Sequence, residues 1–385
     1  MTDSKFRVAY SQCPSYTDKR RLRAALEEVI SIQIQDFGGS VSGKKLMFKP
    51  NFLAWRRDED IACVHPAFLL ESVKIFLDAG AKISIIETPA VQTAPAVVRA
   101  MKLDGELAKL GVPVASFAEF APIRQVPGQC FHHVEIAREY LDFDAVVDVA
   151  KAKTHGMMML TLCVKNLFGM IKGSERLGWH LAVGKNFEQF ADLLLDLYLA
   201  VRPQFNLLDG IVCMEGNGPG SGTPAERGFI VGSSDALALD ASVAPLLGCE
   251  DLLILESARR RGLLPKMEVA GTIPEIKRLR LPPPPGFLCE WGAPLPPFFK
   301  SFLREAVVAK PILNRKLCIG CGLCEKMCPP ASLKMKNGKP VFDLPHCIRC
   351  FCCQEHCPKG AITTRKTVMM KACEKVEEAV RFLFR

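Results

Sequence analysis

Cys318-Ile-Gly-Cys321-Gly-Leu-Cys324-Glu-Lys-Met-Cys328-Pro329 is answered 29 residues later by Cys347-Ile-Arg-Cys350-Phe-Cys352-Cys353-Gln-Glu-His-Cys357-Pro358. Both stretches keep the spacing C-x2-C-x2-C-x3-C-P. Three thiolates two residues apart wrap one iron–sulfur cubane from a single tight loop, with the loop's amide N–H groups left pointing at the sulfurs. The fourth Cys is expected to open a helix beyond the reach of that loop, and the Pro after it suits a first helical turn. One C-x2-C pair would suit zinc as well; two complete four-Cys runs, each closed by Pro, argue for iron and sulfide instead. Ten of the 17 cysteines lie in the last quarter of the chain, and Cys13, Cys63, Cys130, Cys163, Cys213, Cys249 and Cys289 are scattered. Residues 1–10 are polar and charged with no apolar stretch for export, so disulfides are a poor explanation of the cluster.

The two runs are those of bacterial two-cluster ferredoxins. In that pattern the ligand sets cross over. Cys318, Cys321, Cys324 and Cys357 are expected to hold one 4Fe–4S cluster, and Cys347, Cys350, Cys353 and Cys328 the other. Cys352 is out of register and reads as a non-ligand, and Cys373, on an expected helix, reads as packed.

The net charge is +9, and its placement is informative. Residues 298–385 hold 17 basic and 7 acidic side chains, a balance of +10, whereas the other 297 residues hold 33 and 34, a balance of −1. The basic tail suits either nucleic acid or something anionic bound within it. Each oxidised cluster with four thiolates carries about −2, so two clusters bring the tail to about +6. The remainder suits an acidic redox protein as partner, or a small anionic substrate. Lys and Arg are spread through the module and not interleaved with stacking aromatics, which argues against nucleic acid. The most apolar stretch, 157–164, is far shorter than the roughly 20 residues of a spanning helix. No membrane span is expected, and a cytoplasmic protein is.

A chain of 385 residues suits one large domain and a smaller one. Residues 281–297 contain seven prolines and read as a stiff extended connector, pinned to a surface by Phe287 and Trp291. They separate residues 1–280 from residues 298–385, and the spacing of Val368, Ala372, Val376, Ala379 and Leu383 predicts a helix over 367–385. Within 1–280, β-rich apolar runs at 45–49, 82–87, 145–149, 206–208 and 228–232 alternate with helical patterns at 19–35, 66–79, 94–110 and 187–201. That order predicts an α/β domain with a largely parallel sheet and flanking helices, followed by a small α+β dicluster ferredoxin-like domain.

In such sheets ligands bind beyond the carboxyl ends of the strands. Four polar stretches are expected there. They are Lys49-Pro50-Asn51 with His65-Pro66; Lys151-Ala152-Lys153-Thr154-His155; Cys163-Val164-Lys165-Asn166-Leu167-Phe168-Gly169; and Asp209-Gly210 running on to Glu215-Gly216-Asn217-Gly218-Pro219-Gly220. A glycine loop offers unobstructed backbone N–H groups to a phosphate or carboxylate, and Lys49, Lys153 and Lys165 would supply positive charge. It is neither a Walker loop nor a dinucleotide fingerprint. Each piece also has a plainer reading: the loop as a turn, the lysines as solvated, Lys165-Asn166 as the cap of a turn, His155 as a hydrogen-bonded core residue. His132, His133 and His180 lack partners in the sequence. Cys163 and Cys213 read as core, and Arg56-Arg57 and Arg259-Arg260-Arg261 as solvated.

At these residues the chain resembles the domain of unknown function 362 family. Lys49-Pro-Asn, Lys153-Thr-His, Lys165-Asn-Leu-Phe-Gly and Met214-Glu-Gly-Asn-Gly-Pro, followed by Asp235 and Ala238-Leu-Asp240, carry the resemblance over residues 8–248. It implies a fold and a fused electron-transfer architecture, and no assigned reaction. The expected function is an iron–sulfur oxidoreductase or electron relay. Lys153, His155 and Lys165 would stabilise negative charge or deliver a proton, and Lys49, Asn51, Asn166, Glu215 and the loop of Gly216, Asn217, Gly218 and Gly220 would hold an additional anionic substrate or cofactor. The alternative is a non-enzymatic assembly or maturation factor that donates electrons or clusters to a client protein.

Overall fold

The computed structural model describes residues 5–55, 60–89, 92–131, 134–171, 176, 179, 187–220, 222–282, 310–328, 331–347 and 352–365. Internal contacts divide the chain into two compact units, Met1–Pro282 and Pro283–Arg385. Most of the connector, the helix expected over 367–385, Arg56, Arg57, His132, His133, His180 and Cys350 lie outside the described residues.

The first unit is built on a 9-stranded sheet. Its strands are β1 (Phe6–Gln12), β2 (Lys45–Pro50), β3 (Lys82–Ile86), β4 (Val114–Ala115), β7 (Ala145–His155), β8 (Met159–Thr161), β9 (Phe205–Glu215), β10 (Thr223–Ser233) and β11 (Met267–Ala270), while β5 (Phe120–Pro122) and β6 (Glu135–Ala137) pair apart. The order is β11-β1-β10-β9-β7-β2-β3-β4, with β8 folded back onto β7. The pairs β2–β3, β3–β4, β2–β7, β7–β9 and β1–β11 are parallel. The pairs β1–β10, β9–β10 and β7–β8 are antiparallel. Every residue of β7 is buried, which requires cover on both faces of the sheet.

Caps explain where the helices start. Asp18 accepts the Arg21 amide and begins α1 (Lys19–Asp36). His65, followed by Pro66 at the first helical position, begins α2 (Pro66–Asp78). Thr93 begins α3 (Ala94–Ala100). The single helix expected over 94–110 is two, because Lys102 takes a left-handed φ of 60° and α4 starts afresh at Asp104–Lys109. The short α5 (Cys163–Asn166), α6 (Phe187–Val201), α7 (Ala236–Leu246) and α8 (Leu253–Arg260) follow. Phe48, Phe76 and Phe205 centre the core under α1 and α2, with Phe76 edge-on to the other two rings at 5.5 and 5.1 Å. The Arg259-Arg260-Arg261 stretch is not simply solvated. Arg261 is nearly buried and donates to Asp196 at 2.5 Å and to the Gly128 and Asp192 carbonyls, tying α8 to α6.

The second unit has two small antiparallel pairs. β12 (Lys310–Leu313) pairs with β15 (Ile362–Arg365), and β13 (Leu333–Lys336) with β14 (Lys339–Phe342). They flank the single-turn helices α9 (Leu323–Lys326) and α10 (Cys352–Glu355). The expectation that the fourth Cys of each run opens a helix is corrected: Cys328 and Cys357 follow α9 and α10. Gly322, at φ 74°, turns the chain one step early, so the helix starts at Leu323 and the third Cys of the run lies inside it.

Candidate functional site

In the second unit Cys318, Cys321, Cys324 and Cys357 line one small pocket, walled by apolar Leu313 and Met335. These are three cysteines of the first run and the last of the second. Cys324, Cys353 and Cys357 are buried, Cys318, Cys328 and Cys347 half-buried, and Cys321 exposed. Burial first, then the neighbouring Cys357 and Cys321 thiols, push the Cys324 thiol up to about 11. Sulfurs crowded in an apolar pocket carry their negative charge comfortably only around a cationic centre. The Ala361 amide donates to the Cys357 sulfur at 3.1 Å, the N–H to S contact that stabilises a ligating thiolate. The donor set and pocket therefore fit an iron–sulfur cluster. Among the described residues, no three His, Cys, Asp or Glu side chains are arranged around a single metal ion. Cys328 and Cys353 of the other expected set pack around the same apolar centre as Cys324, Leu333 and Ile362.

In the first unit the quoted motifs converge at the carboxyl ends of β2, β7 and β9. Lys49, fully buried, donates to Glu87 at 2.6 Å. Asn51 donates to Asn166 at 2.8 Å, and Asn166 donates to Asp148 at 2.7 Å. Lys153 donates to Asn51 at 2.8 Å and to the Ala62 carbonyl at 2.5 Å. His155 is buried, and its Nδ1 accepts the Met157 and Met158 amides at 3.1 and 3.3 Å, which places the ring proton on Nε2. Lys165 is half-buried, 5.4 Å from the Phe168 ring centre and 5.8 Å from that of Phe190. Cys163 and Cys213 are fully buried.

The glycine loop is engaged chiefly with its own fold. Glu215 accepts from Arg227 at 3.0 Å and from the Arg280 amide at 3.2 Å. The Gly216 amide donates to the Arg280 carbonyl and the Gly218 amide to the Gly216 carbonyl. Those two amides are therefore spent inside the fold, and the first residues before the connector are moored to the loop. Gly218 is needed for close approach: a Cβ there would lie 1.8 Å from the Thr154 carbonyl oxygen. Gly218→Ala is expected to lower stability by about 3 kcal/mol or more, with faster amide exchange over 215–220 as the local readout.

Several members of the site carry no spacing signal. Glu87 follows β3, and Asp240, quoted in the sequence only within the family motif, caps α5 from α7, accepting the Cys163 and Val164 amides at 2.9 and 3.0 Å. Tyr16 stacks on His65 with ring centres 3.6 Å apart and donates to Asp209 at 2.7 Å. Asp209 also pairs with buried Lys151 at 2.8 Å. Burial lowers His65 to about 4, so it is neutral at ordinary pH. Sequence patterns quote Lys151, His65 and Asp209 separately, but only the fold brings Tyr16 to them.

Burial raises Asp148 to about 7, against the opposing pull of Lys49. The folded protein thus holds a proton there that the unfolded chain releases near pH 3.8. This contribution is full below the unfolded value and is lost as pH rises through about 7. Asp148→Asn removes it. The stability of wild type relative to the variant is expected to fall by about 1.4 kcal/mol per pH unit over that window and level off above it, as followed by urea unfolding at a series of pH values. A cleft of about 470 Å³, lined by Arg124, Tyr140, Leu141 and Arg202, lies at the opposite end of β7, beside Ala145 and Val146.

Fold and cysteines together define an α/β protein with a C-terminal iron–sulfur module, and residues 310–358 match the model of the 4Fe-4S dicluster domain. Residues 47–245 match the Domain of unknown function (DUF362), and the chain belongs to that family. It is similar to the thylakoid-associated protein sll1697 of Synechocystis sp. (strain ATCC 27184 / PCC 6803 / Kazusa), 30% identical over 227 residues that make up 58% of this chain and 70% of that protein. Among solved structures it is similar to the lactate racemase apoprotein from Thermoanaerobacterium thermosaccharolyticum, at 15% identity and a TM-score of 0.37, over 68% of this chain and 58% of that one. Among the described residues no helix is long and apolar enough to cross a membrane.

Proposed function

We propose that this protein is an iron–sulfur electron-transfer protein that carries two 4Fe–4S clusters and passes electrons to an anionic substrate or cofactor at the carboxyl ends of β2, β7 and β9. The observation that carries this reading is the crossed set of Cys318, Cys321, Cys324 and Cys357 around one pocket. The clusters supply single electrons when bound. Lys165, half-buried above two aromatic rings, is the residue assigned to stabilise negative charge on the acceptor. Lys153 and His155 are buried and bonded within the fold, so they act as positioning residues. Lys153 holds Asn51 and through it Asn166, and His155 holds the turn before β8.

Anaerobic reconstitution should load about eight iron and eight sulfide per chain, and the dithionite-reduced protein should be reoxidised faster by some members of a panel of small organic anions. Lys165→Met, with full iron, should slow that reoxidation by about tenfold or more. If Lys165→Met, Lys153→Met and His155→Gln all match wild type at full iron, the assigned site is wrong, whereas iron content together with reduction by dithionite decides the electron-transfer half. The burial of Lys153 and His155 also favours a second reading, in which the α/β domain is a binding platform and the protein donates electrons or clusters to a client. Stable co-purification with one protein, without small-molecule turnover, is its signature.

A further inference from the structure

The surface of the second unit around the crossed cysteine pocket combines two features that seldom coincide without a partner. Leu317, Ile319 and Val341 are exposed at 49%, 61% and 45%. The first two bracket Cys318, and Ile319 also lines the pocket, whereas Val341 lies on the other face of β14 from the pocket-lining Pro340. Cys321 itself is exposed, so an expected cluster ligand reaches the surface here. Around these apolar side chains stand cations. Arg315 and Lys316 precede Leu317 and are exposed. Lys359 lines the pocket, and Lys339 donates to the Cys318 carbonyl at 2.5 Å. A small apolar centre with a polar, mainly basic rim is how transient protein interfaces are built, and the sign of the rim selects the partner by steering its approach.

We propose that the face formed by Leu317 and Ile319, rimmed by Arg315, Lys316, Lys339 and Lys359, docks an acidic one-electron carrier protein. The inference rests on the electron-transfer reading above and names where electrons enter. The reduced carrier would lose one electron and the cluster that Cys318, Cys321, Cys324 and Cys357 would hold would gain it, with no bond or proton exchanged. The apolar centre expels water and brings the carrier's redox group near the exposed Cys321, while the cations set the rate of encounter.

The test uses the full chain with clusters loaded and reduced flavodoxin as the acidic probe, read by stopped-flow absorbance and by binding affinity measured separately. The wild-type association rate should fall steeply as salt rises. The triple variant Arg315→Glu/Lys316→Glu/Lys359→Glu should lose about tenfold or more in association rate at low salt and flatten the salt dependence. Leu317→Ser/Ile319→Ser should weaken the complex while keeping the salt slope. Lys82→Glu/Lys109→Glu/Lys266→Glu, which reverses as many charges in the α/β unit, should leave the slope unchanged. An equal loss in that control, or no loss in the first variant, overturns the docking face. Iron content and reduction by dithionite, which needs no docking, are measured on every variant. They report on the electron-transfer reading itself, so a failure of that reading is told apart from a failure of this one.

Discussion

Cys357→Ser is expected to cost the protein one of the two clusters proposed above, with bound iron falling to about half and the visible absorbance falling with it. Cys357 is remote in sequence from Cys318, Cys321 and Cys324, yet it closes their pocket. Three thiols from one loop leave one corner of a cubane open to solvent and to loss. Serine presents a harder and far less acidic oxygen there, and the Ala361 amide that donates to the sulfur at 3.1 Å loses its charged acceptor. Cys324 and Ile362 share the apolar centre beneath, so the effect should spread to the fold of the second unit, as more rapid proteolysis within 310–365. Cys352→Ser is the contrasting variant and should keep full iron. Iron and sulfide assay with low-temperature electron paramagnetic resonance decides both. Full iron in Cys357→Ser would refute the crossed ligand set.

Glu87→Ala is expected to destabilise the α/β unit by about 3–5 kcal/mol. Lys49 is fully buried, and Glu87 is its partner at 2.6 Å. The second oxygen of Glu87 accepts the Thr88 amide at 2.7 Å. Truncation leaves an ammonium group buried with its counter-ion gone. It also opens a hole beside Gly169, whose backbone lies against both side chains. The double variant Lys49→Met/Glu87→Leu should recover most of the loss, because a buried ion pair replaced by apolar groups of similar size is often close to neutral. Urea unfolding followed by far-ultraviolet circular dichroism, set beside the visible absorbance that reports on the second unit, measures both. A double variant as unstable as Glu87→Ala would show that charge pairing is not what the site needs.

Spacing made some of this visible early. Cysteines two residues apart act through a few covalent bonds, so the cluster module reads directly from the chain. The β2, β3 and β7 strands and helices α1, α2 and α6 read from apolar periodicity, which is likewise local. The lengths of β7 and β9 did not, because both run on past their apolar runs, β7 into Lys151, Lys153, Thr154 and His155 and β9 through Asp209, polar residues that are buried only because other elements cover them. The break at Lys102 was hidden for a related reason, since a single left-handed residue leaves the helical spacing on either side intact. The glycine loop was legible as a loop and not as a clasp, since its partner, Arg280, lies 65 residues beyond Glu215.

The sequence alone determined that this protein carries an iron–sulfur module behind an α/β domain, and that the positive charge resides with the module. Local spacing and composition suffice for that. Only the tertiary structure decided which polar groups pair: Lys49 with Glu87, Lys151 with Asp209 and Tyr16, and Asp240 with the first amides of α5. Those partners are separated by tens to hundreds of residues. Their pairing is enforced by desolvation, which makes an unpaired buried charge far more costly than a solvated one, and burial exists only once the sheet has closed around them.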